Sequence, residues 1–186
     1  MKSQRLIFVA IFLIATSLSA STFVALDSDE MIRQSQRVVQ GTVIGVDSFW
    51  DRAGRIVVSE ATIQIGETIL GSQHESVVKV RVPGGQVGRF KVVAEGFPVF
   101  ARGQQVVLFL NREGDADFHR VVGHQQGHFE VVQRRDGVAL AVPQIEDGAR
   151  LFHADGRQMA PARSTELETF KAMVRDAGRQ LGRVVR

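Results

Sequence analysis

The sequence predicts a mainly β protein: a small antiparallel β-barrel with a short N-terminal helix and a longer C-terminal amphipathic helix. Three observations predict it. Val78, Val80 and Val82 alternate with Val77, Lys79 and Arg81, the period-two pattern of a strand with one wet face. Gln105 to Leu110 is apolar at nearly every position, which marks a strand covered on both faces and therefore central. Near the C-terminus, Leu167, Phe170, Val174, Ala177, Leu181 and Val184 recur at intervals of three and four, one apolar stripe along a helix.

At 186 residues the chain is long enough for one domain with a single substantial core. Lys2 and Arg5 precede an uncharged apolar run from Leu6 to Ala15, followed by Thr16, Ser17, Ser19, Ala20 and Ser21. That is the layout of a secretory signal peptide. The apolar run is shorter than the roughly 18 to 20 residues that span a bilayer. Residues 1–21 are therefore expected to be cleaved, leaving no transmembrane segment and an exported protein, periplasmic or secreted. Removing Lys2 and Arg5 from the 23 basic residues leaves 21 against 20 acidic ones, a net of +1, on which no claim to nucleic acid can rest. The absence of cysteine removes disulfides, thiolate metal sites and cysteine nucleophiles together.

In chain order, Asp27 or Ser28 caps a short helix through Gln34 or Gln36, with Met31 and Ile32 as its apolar contacts. Arg37 to Asp47 reads as a strand interrupted by Gly41 and Gly45, which mark bulges or a tight bend. Ser48 to Gly54 is the first connection, and it carries Phe49, Trp50 and Arg52. Arg55 to Ile65 forms the second strand, with a one-residue slip near Ser59 and a weak continuation from Glu67 to Leu70. Pro83, Gly84 and Gly85 stop the Val77 to Val82 strand. The long connection that follows holds a short strand at Phe90 to Ala94 and an aromatic segment from Phe97 to Phe100. Phe118 to Val122, His128 to Val132 and Val138 to Val142 complete a barrel domain over 22–142. A loop over 143–163 carries a short hairpin at Asp155 and Gly156, and 164–184 is a helix packed on the barrel. Thr165 and Glu168 have the spacing of a capping box at its start.

A short helix, a valine-rich first strand, an aromatic loop, a long second strand and the buried Val106 to Leu110 strand follow in an order that resembles the netrin-like modules, which include the tissue inhibitors of metalloproteinases. The resemblance covers roughly Ser28 to Val132 and implies a five-stranded, partly open barrel of the OB type. It implies no inhibitory residue, because those inhibitors act through an N-terminal cysteine clamped by disulfides and this chain has none.

Two loops are the candidate binding surfaces: Phe49, Trp50 and Arg52 in the first, and Gly84, Gly85, Phe90 and Phe97 in the second. His119, His124 and His128 lie close in sequence, and imidazole is a common zinc or copper ligand. No carboxylate completes a His-Glu-x-x-His spacing, so the expectation is no metal, no cofactor and three polar hairpin histidines. Lys171, Arg175, Arg179 and Arg183 form a cationic ridge on the C-terminal helix, either a solvated face or a contact for an anionic membrane surface. Without a Gly-x-Ser-x-Gly elbow there is no catalytic candidate. The leading reading is an exported, non-enzymatic binding module whose partner is another exported protein or peptide. A protease inhibitor acting through a surface loop is the alternative, and a histidine-dependent metal protein or enzyme comes last.

Overall fold

The computed structural model describes residues 22–184 other than 73, 74, 113, 146–148, 154 and 161, so the expected leader lies outside the described residues. Its elements are β1 (Thr22–Val24), α1 (Ser28–Gln34), β2 (Arg37–Trp50), β3 (Val57–Leu70), β4 (Val77–Pro83), β5 (Gly85–Val87) and β6 (Phe90–Val92). They continue with β7 (Gln105–Asn111), β8 (Arg120–Val121), a 3-10 turn (His124–Gly127), β9 (His128–Gln133), β10 (Ala139–Pro143), β11 (Arg150–Phe152), β12 (Gln158–Met159), β13 (Thr165–Glu166) and α2 (Leu167–Gln180). Among the described residues no helix is long and apolar enough to cross a membrane.

The main sheet runs in the order β13-β10-β9-β7-β2-β3-β4, with β8 added to β7, and all of its ladders are antiparallel. The sheets are open, so the barrel expected from the sequence is not formed as a continuous ladder among the described residues. One isolated parallel bridge joins Val80 of β4 to His119, just before β8. His119 N–H donates to the Lys79 carbonyl at 2.8 Å, and Arg81 N–H donates to the His119 carbonyl at 2.9 Å. The ladder stops there because β8 is two residues long, cut off by Gly123 at φ 64° and the 3-10 turn.

β2 and β3 form the long hairpin of the sheet, 14 residues each. Its register shifts fall between Val38 and Val39, Gln40 and Gly41, and Val43 and Gly45, so two of the three coincide with the expected glycine interruptions. The slip expected near Ser59 is absent, because Ser59 pairs in register with Ser48 on one side and Val82 on the other. β2 also runs three residues past the predicted end. Phe49 and Trp50 pair with Val58 and Val57 in the ladder, and the connection is Asp51 to Ile56 instead. Asp51 fixes that turn, its Oδ1 accepting from the backbone N–H of Ile56 at 3.1 Å and from that of Arg55.

β7 is covered on both faces, as its sequence requires. Val106, Leu108 and Leu110 join Val39, Val43, Ile63, Val80 and Val121 in one apolar cluster, while Val107 and Phe109 join Val38, Ile69, Phe129, Leu167 and Val174 in another. The single expected core is thus two clusters that share β7. α1 and α2 cover the second. Asp27 caps α1, accepting from Glu30 N–H at 2.7 Å. Leu167 and Val174 of α2 are buried, and the Phe170 ring packs 4.6 Å from Phe129.

The C-terminal helix begins later than predicted. Thr165 pairs with Ala141 in β13, so it is a strand residue and not the cap; Glu166 occupies the cap position without a side-chain bond. The helix ends at Gln180, and Gly182 at φ 67° follows in a turn. The 143–163 stretch is not a plain loop either. β11 and β12 form the hairpin around Asp155 and Gly156, and β11 pairs in parallel with β1, a strand the sequence pattern did not announce.

Candidate binding surface

The two loops singled out from sequence converge at one end of the sheet. β5 and β6 form a small hairpin, Gly85 opposite Val92 and Val87 opposite Phe90, that leaves β4 through Pro83 and Gly84. Gly84 sits at φ 90° and Gly85 at φ 128°, which a side chain would strain. A Cβ on Gly85 would also collide with the hydroxyls of Ser59 and Ser48. Those hydroxyls bond to each other at 2.9 Å, and Ser59 Oγ donates to the Gly84 carbonyl at 2.8 Å. Both glycines therefore serve the fold, fixing the hairpin on the end of β2 and β3.

This placement brings Phe90 against Trp50, edge to face with centroids 5.9 Å apart. Both rings stay partly open to water. Trp50 is 41% exposed and Phe90 51%, with Val92 at 41% and Val93 at 70% beside Phe90 in the chain. The Arg89 guanidinium lies 5.3 Å from the Phe90 ring. Arg52 is exposed in the neighbouring turn. Backbone hydrogen bonds from Ile56 and Arg55 hold the Asp51 carboxyl below its ordinary pKa, so Asp51 stays ionised beside Arg52 and Arg55 at neutral pH.

Phe49 points away from this patch. The Arg81 guanidinium lies 5.3 Å from its ring and 3.9 Å from that of Phe118, while Arg81 pairs with Glu60 at 2.6 Å and Lys79 pairs with it at 3.0 Å. Burial acts to raise the Glu60 carboxyl, and the bonds from Arg81 and Lys79 outweigh it, leaving the pKa lowered. Phe49 is thus part of a cross-strand cluster. Phe97 is also packed, edge-on to the His124 ring at 4.3 Å.

The histidines are not a polar hairpin group. His119 and His128 are buried in the sheet, 5% and 1% exposed, and His124 begins the 3-10 turn at φ 56°, a left-handed conformation uncommon outside glycine. Burial, aided by the charge of Arg37, lowers the His119 pKa; burial alone pushes His128 down to about 4. His128 lies 5.1 Å from the Phe100 ring, and neither of its ring nitrogens has a hydrogen-bond partner. Among the described residues no group of three His, Asp or Glu side chains is arranged to hold a metal ion.

The cationic ridge is drawn partly into the protein, with Arg179 left exposed. Lys171 is 5% exposed and pairs with Glu67 of β3 at 2.8 Å and with Glu168; Arg175 also pairs with Glu67. Burial works to lower the Lys171 pKa, and the carboxylates of Glu168 and Glu67 more than offset it, leaving it raised. Arg179 pairs with Asp176 along the helix, and Arg183 donates to the backbone carbonyls of Arg33, at 3.2 Å, and Ser35.

The sequence reading missed Val92, Val93 and Val99 as exposed apolar residues, and Gln125 as a buried polar one. For the valines the signal was present in their place within a long glycine-rich connection. No family model, curated protein or solved structure matches the chain.

Proposed function

We propose that this chain is an exported, non-enzymatic binding module of OB type, and that it recognises another exported protein or peptide through the Trp50 and Phe90 tip. The single observation carrying the reading is the meeting of two exposed aromatic rings from segments forty residues apart in sequence, flanked by exposed Val92 and Val93. Apolar surface held in water at a hairpin end is a cost to a lone domain and an anchor for a partner, where aromatic residues carry much of the binding energy. Support for the OB arrangement comes from the pairing order: β2 with β3, β3 with β4, β4 bridged in parallel to His119, and β8 with β7, which returns to β2. The apolar cluster of Val39, Ile63, Val80, Leu108 and Val121 would fill such a barrel. The charged, apolar and small-residue order at the start of the chain supports export.

Trp50 is the only tryptophan in the chain, so its fluorescence reports on the tip directly. Partners captured from the native periplasm or culture medium should blue-shift that emission when added back purified. The double variant Trp50→Ala, Phe90→Ser should capture none of them. Equal capture by the variant would reject the tip as the working surface.

A further inference from the structure

A second site lies at the other end of the long connection. There the Phe97–Val99 segment faces Pro143 and Ile145 across a cleft of about 260 Å³ whose wall includes Gln125 and His128. Both polar side chains are almost fully buried, 3% and 1% exposed. Each has unmet hydrogen-bonding capacity: Gln125 Nε2 has no acceptor, and neither Nδ1 nor Nε2 of His128 has a partner. The backbone around them is fixed, with Gln125 N–H donating to the Gly96 carbonyl and Gln144 N–H to the His128 carbonyl, both at 3.1 Å. An unpaired buried group costs about 1 to 3 kcal/mol, which a ligand seated in the cleft and bonded to these atoms would recover.

We infer that this cleft binds a carboxamide group, the peptide unit of an extended segment or an amide side chain, by hydrogen bonds to Gln125 and His128 between apolar walls. A neutral imidazole offers one N–H donor and one nitrogen acceptor, and the Gln125 amide adds donors. The complementary group carries a carbonyl oxygen and an N–H together. A carboxylate lacks the donor, an ammonium lacks the acceptor, and the imidazole is uncharged at neutral pH because burial disfavours its cation. Phe97, Pro98 and Ile145 supply apolar contact on either side, and Val99, 80% exposed, stands at the mouth. Ligand access to these nitrogens requires the Phe97–Val99 edge to move outward, because they expose almost no surface as the cleft stands.

The test is an NMR titration of the full exported chain with N-methylacetamide as the probe, with acetate and methylammonium as controls. The His128 ring ¹⁵N resonances and the Gln125 side-chain NH₂ should shift saturably with the amide and respond to neither control. Val99→Arg, at an exposed position that leaves the core untouched, should abolish the shift. His128→Leu should weaken binding about tenfold, as read on the Gln125 amide, the loss of one to two hydrogen bonds. Trp50→Ala should change nothing here, which separates failure of this site from failure of the tip. The proposal is overturned by no saturable shift, by an equal response to acetate, or by full response in Val99→Arg. A crystal soaked in the amide that shows only ordered water on both side chains overturns it as well.

Discussion

The C-terminal helix and the Trp50 and Phe90 tip treat their conspicuous side chains in opposite ways. On α2, Lys171 and Arg175 converge on Glu67 of β3, so half of a row of cations that reads as a surface is an internal clasp. At the tip, two aromatic rings meet edge to face, each more than two-fifths exposed. Charge is consumed by the fold where a carboxylate on a neighbouring strand lies within reach. Apolar area left in water has no such outlet inside the chain, and the proposed partner contact is placed there for that reason.

The comparison breaks most sharply if the helix is dispensable. Leu167→Ala should destabilise the protein by roughly 2 to 4 kcal/mol, read as a lowered urea midpoint with the slope unchanged. An unaffected midpoint would mean that α2 is not docked through its apolar stripe. Acid titration gives the next largest effect, and neither surface contributes an imidazole to it. His128 is held to about 4 in the folded state, below the ordinary histidine value of 6.5, so the unfolded chain binds the extra proton first. Its contribution is complete above about pH 6.5 and is lost as pH falls toward 4, a span of roughly 3 kcal/mol. His128→Leu should flatten that part of the stability curve; an unchanged curve would place the titration elsewhere.

Glu67→Gln tests the clasp itself. It leaves Lys171 buried with Glu168 alone and should cost roughly 1 to 3 kcal/mol, less than a fully buried pair because Glu67 is itself partly exposed. If the helix instead works as a cationic face, the same change would barely alter stability, and the full chain would sediment with anionic vesicles in proportion to their charge. The smallest stability effect belongs to the tip. Trp50→Ala and Phe90→Ser should each shift folding by less than about 1 kcal/mol while removing partner capture. A large loss of stability would make the rings packing residues and reverse the contrast.

Much of the sheet was legible because its signals are local. Alternation gave β4, a two-sided apolar run gave β7, and Gly41 and Gly45 marked the register shifts of β2. The turn after β2 was misplaced because Phe49 and Trp50 are good strand residues that only their pairing with Val58 and Val57 assigns. β1 could not be seen, since three residues pairing in parallel with Arg150 to Phe152 carry no periodicity. The same limit governs the candidate site. Aromatic composition pointed to Trp50 and Phe90, but nothing within the sequence near Lys171 announces Glu67, and nothing near His128 announces that Phe100 buries it. Capping-box spacing misled at Thr165 because β10 claims that residue first.

β7 serves as a party wall. Because alternate residues of one seven-residue strand belong to different apolar clusters, an opening that wets either side strips support from the other. The whole chain should therefore melt in one transition, and a fragment that stops short of β9 and the C-terminal helix would leave half of that wall facing water.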